Sequence, residues 1–183
     1  TGSLINDTFV MPLPLNERAV VFGGGHVARS LVPVLSSIGF DCVVFENRED
    51  FAKPELFPTA SKIILGDYNQ LDQYIDLNKD DYYIVMTNGH AHDYIIEKQL
   101  LQRQYSYIGV MGSRKKIATI NAMLTEDGIT AQAISSVHTP IGLPIKAVTP
   151  EEIAISVAAE CIQVRANLRE NNTNSAHSCP SHL

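Results

Sequence analysis

Apolar residues fall into short continuous runs separated by longer stretches of helical spacing. Five runs read as strands: "AVVF" (19–22), "DCVVFE" (41–46), "KIILG" (62–66), "YYIVMT" (82–87) and "YIGVMG" (107–112). Runs without polar alternation suit a sheet covered on both faces. After the first run, Val27, Leu31, Val34, Leu35 and Ile38 recur at helical spacing and predict a helix over 25–38. Pro33 lies inside it and removes one backbone donor, which predicts a kink or weakened first turns. Gly39 is placed to end it as a left-handed cap. Further helices are expected over 91–103 and 114–124, and "AISSVH" (133–138) is a candidate sixth strand.

The last helix carries the clearest marks. In "TPEEIAISVAAECIQVRANLRE", Thr149 stands as N-cap, Pro150 at the first helical position and Glu152 three residues after the cap. Ile153, Val157, Cys161, Val164 and Leu168 form one apolar stripe, and Ile155, Ala158, Ala159 and Ile162 a second. A helix apolar on two sides is expected to be buried on two sides, part of it at a subunit or domain interface, so a homo-oligomer is expected. The polar tail 171–183 is expected to be disordered. Residues 1–18, with Pro12 and Pro14, read as an extended lead-in. Strand–helix alternation over 19–170 gives an α/β fold: a doubly wound, mostly parallel sheet in three α/β/α layers. Ligands in such sheets bind beyond the carboxyl ends of the strands, where strand order reverses.

That rule directs attention to "VFGGGHVA". Gly23, Gly25 and Ala28 fit the GxGxx(G/A) fingerprint, after a strand and at the opening of a helix. Gly23 allows the tight turn, Gly25 lets a ligand approach the backbone, and Ala28 keeps helix close to sheet. The amides of Gly24, Gly25, His26 and Val27 then stand at a helix start that favours a phosphate. His26 either covers the ligand or projects to solvent. Glu46, at the end of the next strand, occupies the place of a ribose 2′-OH acceptor, and Arg48 follows it. The alternative is a bare turn with a solvated strand end.

Three more loops leave strand ends on the same side. "TNGHAHD" (87–93) offers Thr87, His90 and Asp93, "GSRKK" (112–116) offers Gly112, Ser113 and Arg114, and "SVHTPIGLPI" (136–145) offers His138. Cations at a helix start oppose the dipole, so "GSRKK" makes sense if an anion sits there. Lys115 and Lys116 read rather as a solvated basic face. His90, His92 and Asp93, with His138 and His26 nearby, have ligand chemistry for zinc or iron but no third ligand at fixed spacing. Capping or hydrogen bonding to a polar ligand is the reading preferred to metal.

Composition narrows the classes. The 183 residues carry a formal net charge of -6, against bulk nucleic-acid binding. No run approaches a bilayer span, and no segment reads as an export signal. Cys42, Cys161 and Cys179 form no disulfide framework and read as reduced thiols of a cytoplasmic protein. The opening "TGSLIND" lacks an initiator Met, and the chain is expected to be a piece of something longer.

Taken together, "VFGGGHVARSLVPVLSSIGF", "VVFENREDFA", "VMTNGHAHD", "YIGVMGSRKK", "VHTPIGLPI" and "TPEEIAISVAAECIQVR" resemble the C-terminal Rossmann domain of the XdhC/CoxI family. These are the accessory proteins of xanthine dehydrogenase and related molybdenum hydroxylases. The resemblance runs from about Pro12 to Arg169. It implies a maturation factor more than a catalyst: one that binds molybdenum cofactor, assists its sulfuration and delivers it to the apo-hydroxylase, with a sulfur-donating desulfurase as a further partner. The N-terminal domain of two-domain relatives is not in this sequence, and Glu46-Asn47 stands where relatives often carry a pair of Asp. Asn47 does not repel a 2′-phosphate and Arg48 attracts one, so NAD and NADP both remain open. The competing readings are an NAD(P)-dependent oxidoreductase, for which no Tyr-x-x-x-Lys pair is visible, and a non-catalytic nucleotide sensor, which "LGDYNQLDQY" faintly resembles.

Overall fold

The computed structural model describes residues 3–5, 8–10 and 17–177, with side chains described from Glu17 to Asn171. Two short strands, β1 (Ser3–Ile5) and β2 (Thr8–Val10), pair antiparallel; Pro12 and Pro14 of the expected lead-in lie outside the described residues. The main sheet contains β3 (Arg18–Phe22), β4 (Asp41–Glu46), β5 (Lys62–Leu65), β6 (Tyr82–Val85) and β7 (Tyr107–Val110), all parallel, in the order β5-β4-β3-β6-β7. Strand order therefore reverses at β3, between β4 and β6.

Alternate residues of each strand feed two cores. Ala19, Val21, Val44, Tyr82 and Ile84 face α1 (His26–Ser37) and α5 (Pro150–His177). Val20, Phe22, Val43, Tyr83 and Val85 face the layer of α2 (His90–Leu100), against which α3 (Arg114–Glu126) packs. Burial on both faces is why these strands read as unbroken apolar runs. In α1, Leu31, Val32 and Leu35 are fully buried, each stabilising by about 1.5–3 kcal/mol. The helix runs on past Pro33 and ends where Gly39 takes φ +90°.

The capping box of α5 forms as expected: Glu152 N donates to Thr149 Oγ1 at 3.3 Å and Thr149 N to Glu152 Oε2 at 3.1 Å. Ala154, Val157, Ala158 and Cys161 bury one face against the core. Of the second stripe, Ala158 is buried in that core, whereas Ile155 and Ile162 are exposed in this chain. Nor does helix give way to tail at 171. No glycine or proline stands between Glu170 and Pro180, and α5 continues to His177; residues 178–183 lie outside the described residues. Cys42 and Cys161 are buried and unpaired, and burial raises both thiols, which keeps them unreactive; Cys179 lies outside the described residues. Among the described residues no helix is long and apolar enough to cross a membrane.

The sixth strand is replaced by a short helix, α4 (Ala131–Ser135), capped by Thr130. Only His138 reaches the sheet, as a single parallel bridge to Gly109: His138 N donates to Ile108 O at 2.8 Å and Val110 N to His138 O at 2.9 Å. The next ladder donor would be residue 140, a proline without an N–H, and Ile141 N takes Val110 O instead. At this edge Gly109 packs under the Tyr107 hydroxyl and the Ile141 side chain, which an added Cβ would strike. Tyr107 is held in turn by Glu160 Oε2 at 2.6 Å. Gly109→Ala is expected to cost about 1–3 kcal/mol of stability by denaturant unfolding, through overpacking. A neutral result would show that this edge has slack.

Candidate functional site

The glycine turn divides its labour. Gly23 has φ +106°, its N–H donates to Phe45 O at 2.8 Å, and a Cβ there would lie 2.6 Å from Met86 O. Only glycine fits. The Gly24 N–H is not available to a ligand, because it donates to Glu46 Oε2 at 2.6 Å. Gly25 is the open position: a Cβ there would meet nothing within 4 Å. Gly25 is also the N-cap of α1, which has neither a side-chain cap nor an acidic residue in its first turn. The amides of Gly25, His26 and Val27 therefore begin α1 on the wall of a cleft of about 400 Å³, which Arg48, Phe51, Met86 and Asn88 also line. Unsatisfied amides and the positive end of the dipole favour an anion there.

Glu46 departs from its expected role. Its carboxylate is fully buried and turned under the turn. Oε1 accepts from Asn47 N (2.9 Å), Arg48 N (3.0 Å) and Arg48 Nε (2.9 Å), and Oε2 from Gly24 N and Arg48 Nη2 (2.9 Å). Burial works to raise its pKa, but the bonds from Arg48 and Gly24 outweigh that and hold it below the usual carboxylate range. No acceptor is left for a ribose hydroxyl. Arg48 lines the cleft with its guanidinium 3.9 Å from the centroid of Phe51.

Asp93 mirrors this arrangement on the other side of the strand reversal. It is fully buried, accepts from Thr87 N at 3.1 Å and from the Thr87 hydroxyl, and pairs with Lys116. Lys116 also donates to Met111 O at 3.2 Å. Lys116 is thus an internal tie between the loops after β6 and β7, not the solvated cation expected. A second cleft, of about 620 Å³, adjoins the first through Thr87 and Asn88 and is lined by Gly89, His90, Ser113, Lys115, Lys116 and Thr119. Ser113 also caps α3, accepting from Lys116 N.

Gly112 and Arg114 lie beside this wall without lining either cleft. His138 is not brought into the crevice. Its Nδ1 lies 3.1 Å from Glu160 Oε1 and its ring packs 4.7 Å from that of Tyr107, at the outer edge of β7. His92 packs against Tyr68. Among the described residues no three His, Cys, Asp or Glu side chains gather as a metal site. Sequence reasoning missed Phe51, Met86, Asn88, Met111 and Thr119. Met86 and Met111 directly follow β6 and β7, a position that marks them; Phe51 enters because the loop after β4 folds back until its carbonyl approaches Gly24.

Beneath the second cleft, Glu97 is 3% exposed and its Oε1 has no partner. Burial, then the nearby Asp93, push its carboxyl up to about 8, with Lys116 opposing.

A five-stranded parallel sheet with a glycine turn and a crevice at its strand reversal defines a Rossmann-type domain. Residues 19–161 match the family model described as the XdhC Rossmann domain, and the chain belongs to that family. It is 30% identical over 160 residues to the uncharacterized protein YqeB of Escherichia coli (strain K12), covering 87% of this chain and 29% of that protein. It is 29% identical over 157 residues to a probable xanthine dehydrogenase subunit of Bacillus subtilis (strain 168), covering 86% of this chain and 46% of that protein. A crystal structure described as a xanthine dehydrogenase from Bacillus halodurans superposes with TM-score 0.74 at 31% identity, over 83% of this chain and 43% of that one. The chain thus spans less than half the length of each of these relatives.

The raised Glu97 carboxyl has a consequence for stability. Between the ordinary carboxylate range and about 8, the folded chain keeps a proton that the unfolded chain releases, so stability falls as pH rises through that window. Glu97→Gln, neutral throughout, is expected to match wild type near pH 4 and to melt roughly 10 °C higher at pH 8.5, by thermal unfolding. Parallel curves for the two proteins would show that Glu97 is ionised in the fold.

Proposed function

We propose that this domain is the cofactor-holding unit of an accessory factor for a xanthine dehydrogenase-type molybdenum hydroxylase. The observation that carries the reading is the start of α1, an uncapped helix N-terminus opened by Gly25 onto a cleft, in a chain of the XdhC family. A second support is the name of the Bacillus subtilis relative, a probable xanthine dehydrogenase subunit.

The cargo is molybdenum cofactor, a pterin with a terminal phosphate and a dithiolene-bound metal. The residues present suit its polar parts. The Gly25, His26 and Val27 amides would hold the phosphate, and Asn88, Ser113 and Lys115 offer donors along the adjoining wall. Assistance in sulfuration, and partnership with a desulfurase and the apo-hydroxylase, belong to the same proposal. A nucleotide in the same crevice is the second reading, favoured by the aromatic and guanidinium shelf of Phe51 and Arg48.

Mass spectrometry of small molecules released from the purified protein tests the first reading, which predicts pterin and molybdenum in equal amounts. NADPH-dependent turnover of a small carbonyl compound would overturn it. Gly25→Val is expected to fold normally, since its backbone is extended at φ -72°, ψ -175° with open space at Cβ, yet to lose thermal stabilisation by the ligand. Retained stabilisation would move the site away from the glycine turn.

A further inference from the structure

The Arg48 end of the first cleft has an imbalance of hydrogen-bonding groups that bears on the class of ligand. In a site that reads a ribose diol, the carboxylate at the end of the second strand is the acceptor. Here Glu46 is fully buried and already receives five donors from the chain. Its guanidinium partner is in the opposite condition. Arg48 uses only Nε and one hydrogen of Nη2 on Glu46, so three of the five guanidinium N–H groups have no partner among the described residues. The Arg48 side chain is 34% exposed and lines the cleft. Phe51 fixes the plane of the guanidinium and lines the same wall.

A second cation lies at the same ring without itself lining the cleft. The Arg29 guanidinium, from the first turns of α1, lies 5.5 Å from the same Phe51 centroid, and its Nε is buried without a partner. Two guanidinium groups and one carboxylate therefore meet at Phe51, and the carboxylate faces away from the cleft. Among the described residues lining the cleft there is no carboxylate, so this end has surplus donors and positive charge.

We propose that the Arg48–Phe51–Arg29 shelf is a phosphomonoester subsite, selecting adenosine nucleotides phosphorylated on the ribose over those with a free diol. A phosphomonoester brings the acceptor oxygens that a guanidinium fork matches, and its charge answers the surplus. The adenine face stacks on the guanidinium plane while the 5′-phosphate reaches the Gly25–Val27 amides of the same cleft. The inference rests on the reading of the crevice as a ligand site, and it deepens the nucleotide form of that reading.

Isothermal titration of the full chain tests it with three probes: adenosine 2′,5′-bisphosphate, adenosine 3′,5′-bisphosphate and AMP. The expected result is that one bisphosphate binds at least tenfold tighter than AMP, the preferred isomer telling which ribose oxygen carries the phosphate. Arg48→Ala leaves Glu46 buried without its counter-charge and risks unfolding. The informative variants are therefore Arg29→Gln and the paired replacement Glu46→Gln with Arg48→Gln. Arg29→Gln is expected to lower the preference at least threefold, and the paired replacement to erase it while also weakening AMP, whose adenine loses the guanidinium it stacks on. Equal affinity for the three probes, with all binding lost in Gly25→Val, overturns the subsite and leaves the glycine-turn site standing. Binding of pyrophosphate alone, again lost in Gly25→Val, has the same meaning. A preference that survives in both shelf variants overturns the assignment to these residues. No binding of any probe overturns the subsite and the nucleotide form of the crevice reading together; the cofactor reading is then decided by the released pterin.

Discussion

The crevice depends on a buried negative charge held in place by the backbone. Glu46 sits beneath the glycine turn, takes its Gly24 amide, and ties it to the loop that carries Arg48. A buried carboxylate without such bonds is costly, and one with them fixes the donors around it. The shape of the turn, the return of the loop toward Gly24 and the placement of Phe51 all follow from that single group. So does the division of the three glycines: one bends the chain, one is bound internally and one faces the cleft.

The same device recurs across the strand reversal. Asp93 is also buried, also takes a loop amide, from Thr87, and also pairs with a cation, Lys116 of the first turn of α3. The two halves of the crevice are thus stapled alike, carboxylate inward and cation toward the opening. The open amides of α1 lie between them. An uncapped helix start between two such staples is the feature on which the proposed binding of a charged ligand rests.

Much of this was legible in the sequence because strand and helix signals are local. Continuous apolar runs marked all five parallel strands, and the Thr149–Glu152 box marked the start of α5. The turn glycines were readable because their fingerprint came in its required context. What failed was long-range. Residues 133–138 look like a strand, yet Thr130 caps a helix there and Pro140 denies the ladder its next donor. Glu46 and Lys116 had the right chemistry and the wrong direction, since no local pattern shows which way a side chain turns at a strand end. His138 was misplaced for a related reason: with no sixth strand, its segment follows α4 and lies along β7, where the side chain meets Glu160 of α5. Phe51 entered the site only through the folding back of a loop.

Pro140 has a consequence beyond the loop it starts. Open sheets are vulnerable at their edges, where unpaired backbone groups invite another chain. The β7 edge is closed by His138 and then denied extension by the proline. At the opposite edge, β5 is only four residues long and opens with the exposed Lys62. Both edges among the described residues are thus short or interrupted, which weakens them as templates for strand addition. The long apolar side chains that α5 leaves exposed, Ile155 and Ile162, lie on a helix and away from both sheet edges.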